Sequence, residues 1–188
     1  MPRLLIISST PRQGGNSDLL ADRVAEGART AGAVVEKVRV GYMRIAPCDA
    51  CDACQAGRDA PCIVHDDMTP LYPKILAADA LVFASPIYFF SACAQMKIVL
   101  DRTYALGGGG DWTALSGKRV GLVFTYGDSD PLQAGVYNAY GTFRDACRFL
   151  GMKLVDCVHA SCGNAGAVLA DASALARAEA LGRRLAAP

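Results

Sequence analysis

Histidine is nearly absent from this 188-residue chain, which holds only His65 and His159. That scarcity weighs against His-based hydrolysis. Neither charge is in surplus: 19 basic residues face 18 acidic ones, for a net charge of +1. A nucleic-acid footprint usually needs a basic excess, so no such partner is expected. Blocks of like charge are missing too, which excludes an acidic tail or a polybasic membrane patch. No apolar run approaches the roughly 18 residues of a membrane span. The opening Met-Pro-Arg-Leu-Leu-Ile-Ile-Ser is too short an apolar stretch for a secretory signal. A cytoplasmic protein with no membrane partner is expected. Repeats, low-complexity segments and linkers are also lacking, so one domain over 1–188 is expected.

Cysteine, by contrast, is abundant. There are eight, and four of them fall between Cys48 and Cys62. The cytosol disfavours structural disulfides, so these thiols are expected to be reduced or metal-bound.

Short apolar runs alternate with helical patterns. Leu4 to Ser8 reads as a strand buried on both faces. Asn16 or Ser17 can cap a helix whose Leu19, Leu20, Arg23, Val24 and Ala28 follow helical spacing, closed by Gly32. Val34 to Val40 alternates in part and suits a sheet edge. Gly41 to His65 has no period, is long for a loop, and is expected as a Cys-rich insertion. Asp66 or Asp67 is expected to cap a short helix to Ala78. Further strands are expected at Ala80–Ser85, Arg119–Thr125 and Lys153–Ala160. Helices are expected at Ala92–Leu106, Gln133–Leu150 and Ala170–Leu185. Five strands separated by helices imply an α/β fold with a parallel sheet, helices on both faces, and the flavodoxin-like order 2-1-3-4-5.

In such a sheet ligands sit beyond the carboxyl ends of the strands, at the switch point between strands one and three. Three loops meet there. The first is Ser9-Thr10-Pro11-Arg12-Gln13-Gly14-Gly15-Asn16-Ser17. Small hydroxyls, two glycines and a helix start make a cradle for a phosphate, and Arg12 can add a charged contact. The loop lacks the Gly-Lys-Ser/Thr ending of a nucleotide triphosphatase and the spacing of a dinucleotide fingerprint. A polar turn that merely caps a helix is the alternative. The second loop, Ser85-Pro86-Ile87-Tyr88-Phe89-Phe90-Ser91, can wall a flat apolar ligand, or its aromatics can belong to the core or an interface. The third is Tyr126-Gly127-Asp128-Ser129-Asp130-Pro131. Gly127 permits close backbone approach and Asp128 can meet polar ring atoms. A plain surface turn is the other reading.

Cys48-x2-Cys51-x2-Cys54-x7-Cys62 holds four thiols in one compact run. Zinc sites usually use two separated pairs. A C-x2-C-x2-C run is closer to cubane iron–sulfur ligation, with Cys62 as the fourth thiolate. Zinc, a redox-active thiol loop and a structural loop with free thiols stay open. Cys93, Cys147, Cys157 and Cys162 are scattered and read as small apolar residues.

These motifs carry a resemblance. Ser9-Thr10-Pro11-Arg12…Gly15-Asn16-Ser17 resembles the phosphate loop of the NAD(P)H-dependent FMN reductase superfamily. Ser85-Pro86-Ile87-Tyr88…Ser91…Ala94-Gln95-Met96-Lys97…Asp101-Arg102 resembles that superfamily's second hallmark. The stretch from Ala46 to Met68 is similar to the compact motif of the iron–sulfur flavoproteins. The resemblance implies FMN as cofactor, its phosphate on the Ser9–Ser17 loop. Pro86, Ile87, Tyr88 and Phe89 would lie along its ring, and Tyr126, Gly127 and Asp128 at its polar edge. It implies a [4Fe–4S] cluster on Cys48, Cys51, Cys54 and Cys62, exchanging electrons with FMN across the subunits of a homodimer or homotetramer. A ferredoxin-like carrier or NAD(P)H would be the redox partner. No acid–base residue is then required, so no catalytic side chain is assigned. Two other functions fit the same residues: an NAD(P)H-dependent FMN or quinone reductase without a cluster, and a flavodoxin-like binding or redox-sensor module with no turnover.

Overall fold

The computed structural model describes residues 1–57 and 61–187. Residues 58–60 of the expected insertion lie outside that set. The first strand, β1 (Arg3–Ser8), leads into α1 (Asn16–Thr30) and β2 (Val34–Arg39). After the Cys-rich segment come α2 (Leu71–Ala77), β3 (Ala80–Tyr88), the two-residue β4 (Ser91–Ala92) and α3 (Ala94–Arg102). The chain finishes with β5 (Arg119–Tyr126), α4 (Val136–Phe149), β6 (Lys153–Ser161) and α5 (Ala172–Ala186).

The sheet runs β2-β1-β3-β5-β6, all parallel, as the expected flavodoxin-like order requires. Only β4 departs from this, pairing antiparallel with the end of β3. Eight of the nine residues of β3 are buried, as a central strand demands, whereas β2 alternates exposed and part-buried residues at the edge. One face of the sheet packs on α2, α3 and α4 through Ile7, Phe83, Leu122 and Phe124. The other packs on α1 and α5 through Leu4, Ile6, Val82 and Val123.

Several of the 32 alanines have a structural use on that second face. Helices α1 and α5 touch backbone to backbone. A Cβ at Gly27 would lie 2.0 Å from the Glu179 carbonyl oxygen, and one at Gly182 would lie 2.0 Å from that of Val24. Ala21, Ala25 and Ala28 of α1 and Ala174 and Ala178 of α5 are buried around these two glycines.

Several boundaries differ from expectation for local reasons. Helix α1 is preceded by Gly15 and carries no side-chain cap, so neither Asn16 nor Ser17 fills that role. Helix α2 starts at Leu71, because Asp66 does not cap it. The Asp66 carboxylate is engaged elsewhere, and 66–70 forms turns that end on Pro70. Pro73 is tolerated because it falls in the first helical turn, where its missing N–H has no partner to lose. Helix α3 begins only at Ala94, since Ser91 and Ala92 pair back onto β3. Helix α4 begins at Val136, after Gly135 at φ +84°. Helix α5 is capped by the Asp171 carboxylate, which accepts from the Ala174 N–H. Among the described residues no helix is long and apolar enough to cross a membrane.

Gly182→Ala should lower the thermal midpoint by several degrees, because overpacking costs typically ~1–3 kcal/mol. An unchanged midpoint would show that α1 and α5 can part freely.

Candidate functional site

All five parallel strands end on one edge of the sheet. There a cleft of about 180 Å³ opens between the loops after β1, β3, β5 and β6. Nine residues expected at a cofactor site line it: Thr10, Arg12, Gly15 and Asn16 from the first loop, Pro86, Ile87 and Tyr88 from the second, and Tyr126 and Gly127 from the third. Thr125, Cys162, Gly163 and Ala165 line it too and were not expected. The last three follow the final strand, in a stretch with no sequence period. Asn16 holds that stretch in place: its amide donates to the Asn164 carbonyl at 2.8 Å and accepts from the Val168 N–H at 3.2 Å.

The remaining expected residues stand behind or beside the cleft wall. Ser9 is fully buried, and its hydroxyl donates to the Ala84 carbonyl at 3.1 Å and accepts from the Cys93 thiol at 3.1 Å. Pro11 is exposed. Asp128 takes the Asp130 N–H at 3.0 Å. Phe89 is 95% exposed at the tip of the β3–β4 turn. Ser17, in the first turn of α1, is fully buried, and its hydroxyl has no partner.

These features suit a phosphate. An uncapped helix start presents free N–H groups and a positive dipole end to an anion. The loop before it is tight: a Cβ at Gly15 would meet the Thr10 hydroxyl at 2.5 Å. The orphaned Ser17 hydroxyl adds a donor, since a buried polar atom left unpaired costs about 1–3 kcal/mol. At the other side of the cleft Tyr126 is oriented by His159, whose Nδ1 stands 3.3 Å from the phenol oxygen. Burial, and then the Arg177 charge, hold the His159 ring below its usual pKa.

The β3–β4 turn is strained. Phe89 (φ +46°) and Phe90 (φ +70°) are the two central residues of a two-residue hairpin, where both φ values must be positive. Asparagine and glycine normally take these places. A bulky residue there costs roughly 1–2 kcal/mol. Gly135 lies against the turn, where a Cβ would meet the Phe90 carbonyl oxygen at 2.3 Å, and the Asn138 amide donates to the Phe90 carbonyl at 3.2 Å.

The second site is the Cys loop. Cys48, Cys51, Cys54 and Cys62 all line one small hollow of about 20 Å³, together with Arg102 and Tyr104. Ala50 and Asp52, both at φ +56°, curl the chain around it. Cys48 and Cys51 are exposed, Cys54 is buried and Cys62 is half-buried. Among the described residues no three His, Cys, Asp or Glu side chains converge as around a single metal ion. The thiolates of a cubane each bind a different iron and so stand farther apart than the ligands of one ion. The four cysteines that line the hollow supply thiol sulfur, the donor type such a cluster uses.

Arg102 closes this loop from beneath. It is 1% exposed, at the last turn of α3. Its Nη1 donates to the Ala46 carbonyl at 2.8 Å and to Asp66 Oδ2 at 2.7 Å. Its Nη2 donates to the Val64 carbonyl at 3.1 Å, to Asp66 Oδ1 at 3.3 Å and to Cys62 Sγ at 3.5 Å. Its Nε donates to the Tyr72 hydroxyl at 3.3 Å. Burial works to discharge the guanidinium, but Asp66 and Tyr72 more than offset it and its pKa is raised. Burial likewise pushes Asp66 up, yet Arg102 and the Ala46 and Met68 N–H groups hold it below the usual carboxylate range. Burial pushes the Tyr72 hydroxyl up to about 12.

Residues 2–167 match the NADPH-dependent FMN reductase family, and the chain belongs to it. An iron–sulfur flavoprotein of Methanosarcina thermophila is 37% identical over 101 residues, 53% of this chain and 51% of that one. One from Archaeoglobus fulgidus is 32% identical over 120 residues, 64% of this chain and 52% of its own. The chain thus spans about half the length of these curated relatives. An NAD(P)H:quinone oxidoreductase from Methanothermobacter marburgensis has the same fold, with a TM-score of 0.70 at 20% identity over 100% of this chain and 98% of that one.

Replacing Phe89-Phe90 with Asn-Gly should raise the thermal midpoint, by relief of roughly 1–2 kcal/mol per residue of backbone strain. A fall would show that the two rings, 5.4 Å apart, hold the hairpin by packing.

Proposed function

We propose that the protein is an FMN-dependent oxidoreductase that moves electrons between FMN in the strand-end cleft and a [4Fe–4S] cluster on Cys48, Cys51, Cys54 and Cys62. One observation carries the reading: four thiols surround a single hollow in a chain that also has an anion-ready cleft. The names of the iron–sulfur flavoprotein relatives support it.

FMN supplies hydride and single-electron chemistry at its ring, and the cluster supplies one-electron exchange. The chain's own residues bind and orient. The N–H groups at the start of α1, the Ser17 hydroxyl and Arg12 hold the phosphate. Pro86, Ile87 and Tyr88 wall the ring and exclude water, while Tyr126 and Gly127 face its polar edge. Phe89 and Phe90 stand exposed at the rim. No side chain has to move a proton for electron or hydride transfer at the flavin.

The cleft and the thiol hollow share no lining residue. Two consequences follow. Electron exchange between them fits a homodimer or homotetramer in which the hollow of one subunit faces the cleft of another, with NAD(P)H or a ferredoxin-like carrier as the outside partner. The cleft can also work alone, and then the protein is an NAD(P)H-dependent FMN or quinone reductase.

Ser17→Asp separates these parts. A carboxylate beside the phosphate should weaken FMN binding at least tenfold, about 1.4 kcal/mol, in a fluorescence titration, with iron content unchanged. Full FMN affinity in the variant would overturn the phosphate assignment.

A further inference from the structure

The four thiols are not equivalent. Cys48 and Cys51 are exposed to solvent, and Cys54 Sγ accepts from the neutral Gln55 amide at 3.6 Å. Among the described residues Cys62 Sγ alone faces a buried cation, the Arg102 Nη2 at 3.5 Å. The guanidinium cannot swing away. Ala46, Val64, Asp66 and Tyr72 engage its other N–H groups, on both sides of the Cys run. The sulfur therefore meets the positive end of the Arg102–Asp66 pair, in a setting where burial strengthens every electrostatic effect.

We propose that Arg102 is a positioning residue that tunes the cluster: its fixed N–H contact to Cys62 Sγ raises the cluster's reduction potential, and Asp66 moderates that rise. The physical reason is direct. Reduction adds a negative charge to the cluster, and hydrogen bonds and positive charge at a ligand sulfur stabilise the reduced form. The inference rests on the cluster reading above.

Two isosteric or near-isosteric variants give opposite signs. Arg102→Gln removes the cation and should lower the midpoint potential of the cluster. Asp66→Asn removes the anion, leaves the guanidinium in place, and should raise it. A merely structural role for the pair would move both potentials in the same direction. The measurement is a spectroelectrochemical titration of anaerobically reconstituted full-length protein, with iron and sulfide counted for each sample. Limited proteolysis of the iron-free chain adds a readout that needs no cluster: Arg102→Gln should be cut faster within 46–66 than wild type. Opposite shifts in potential support the inference. Wild type with a full complement of iron, but shifts of the same sign or none, overturns it. If Arg102→Gln does not load, Asp66→Asn decides alone: a rise supports the inference, and a fall or no change overturns it. Wild type that takes up no iron overturns the cluster reading instead.

Discussion

A parallel sheet covered on both faces must satisfy all its backbone groups internally, and this constraint orders the rest of the molecule. Each strand returns to the same side through a helix, so all five parallel strands end on one edge. The loops that carry function gather there because nothing else can be placed there without breaking the ladder. Helix α1 starts at that edge with its N–H groups unspent. The cleft is thus a by-product of topology, lined by Thr10 and Gly15 with the buried Ser17 hydroxyl behind them. Behind it, Ser9, Ser85 and Cys93 knit β1, β3 and α3 together through buried contacts of 3.1 to 3.4 Å.

The Cys loop faces a different problem. Ordering each residue costs roughly 1–2 kcal/mol of backbone entropy, and the loop has little apolar surface to offset that. Arg102 replaces a core. One buried side chain ties residue 46 to residues 62, 64, 66 and 72, and Asp66 binds it in return while taking the Ala46 N–H at 2.8 Å. Removing one partner of such a buried pair typically costs ~3–5 kcal/mol, because the other charge is left unpaired. Metal-ligand free energy can supply what is still lacking when the thiols are loaded.

Much of this was legible in the sequence because it is local. Apolar runs of four to eight residues mark buried strands whatever surrounds them, and the Ser9–Ser17 pattern announces the loop that joins β1 to α1. What escaped the sequence depends on distant partners. Asp66 looks like a helix cap, yet its partner is Arg102, 36 residues on. The 163–169 stretch has no pattern of its own because Asn16, about 150 residues earlier, holds it. The β3–β4 hairpin was hidden for another reason: Phe89-Phe90 violates the rule by which such turns are recognised. Strain of this kind beside a cleft is where function overrides local preference. Ala21, Ala25, Ala28, Ala174 and Ala178 likewise take their meaning from a distant contact, that of α1 with α5, where Gly27 faces Glu179 and Gly182 faces Val24.

A chain that carries both a flavin cleft and a thiol-bound cluster must show both chromophores. The most direct test is the visible spectrum of anaerobically purified protein, with iron and sulfide counted per chain. The expected result is flavin bands over a broad iron–sulfur shoulder, with about four irons and four sulfides per chain. Flavin bands with no iron would contradict it, leaving an FMN reductase with a thiol-rich loop.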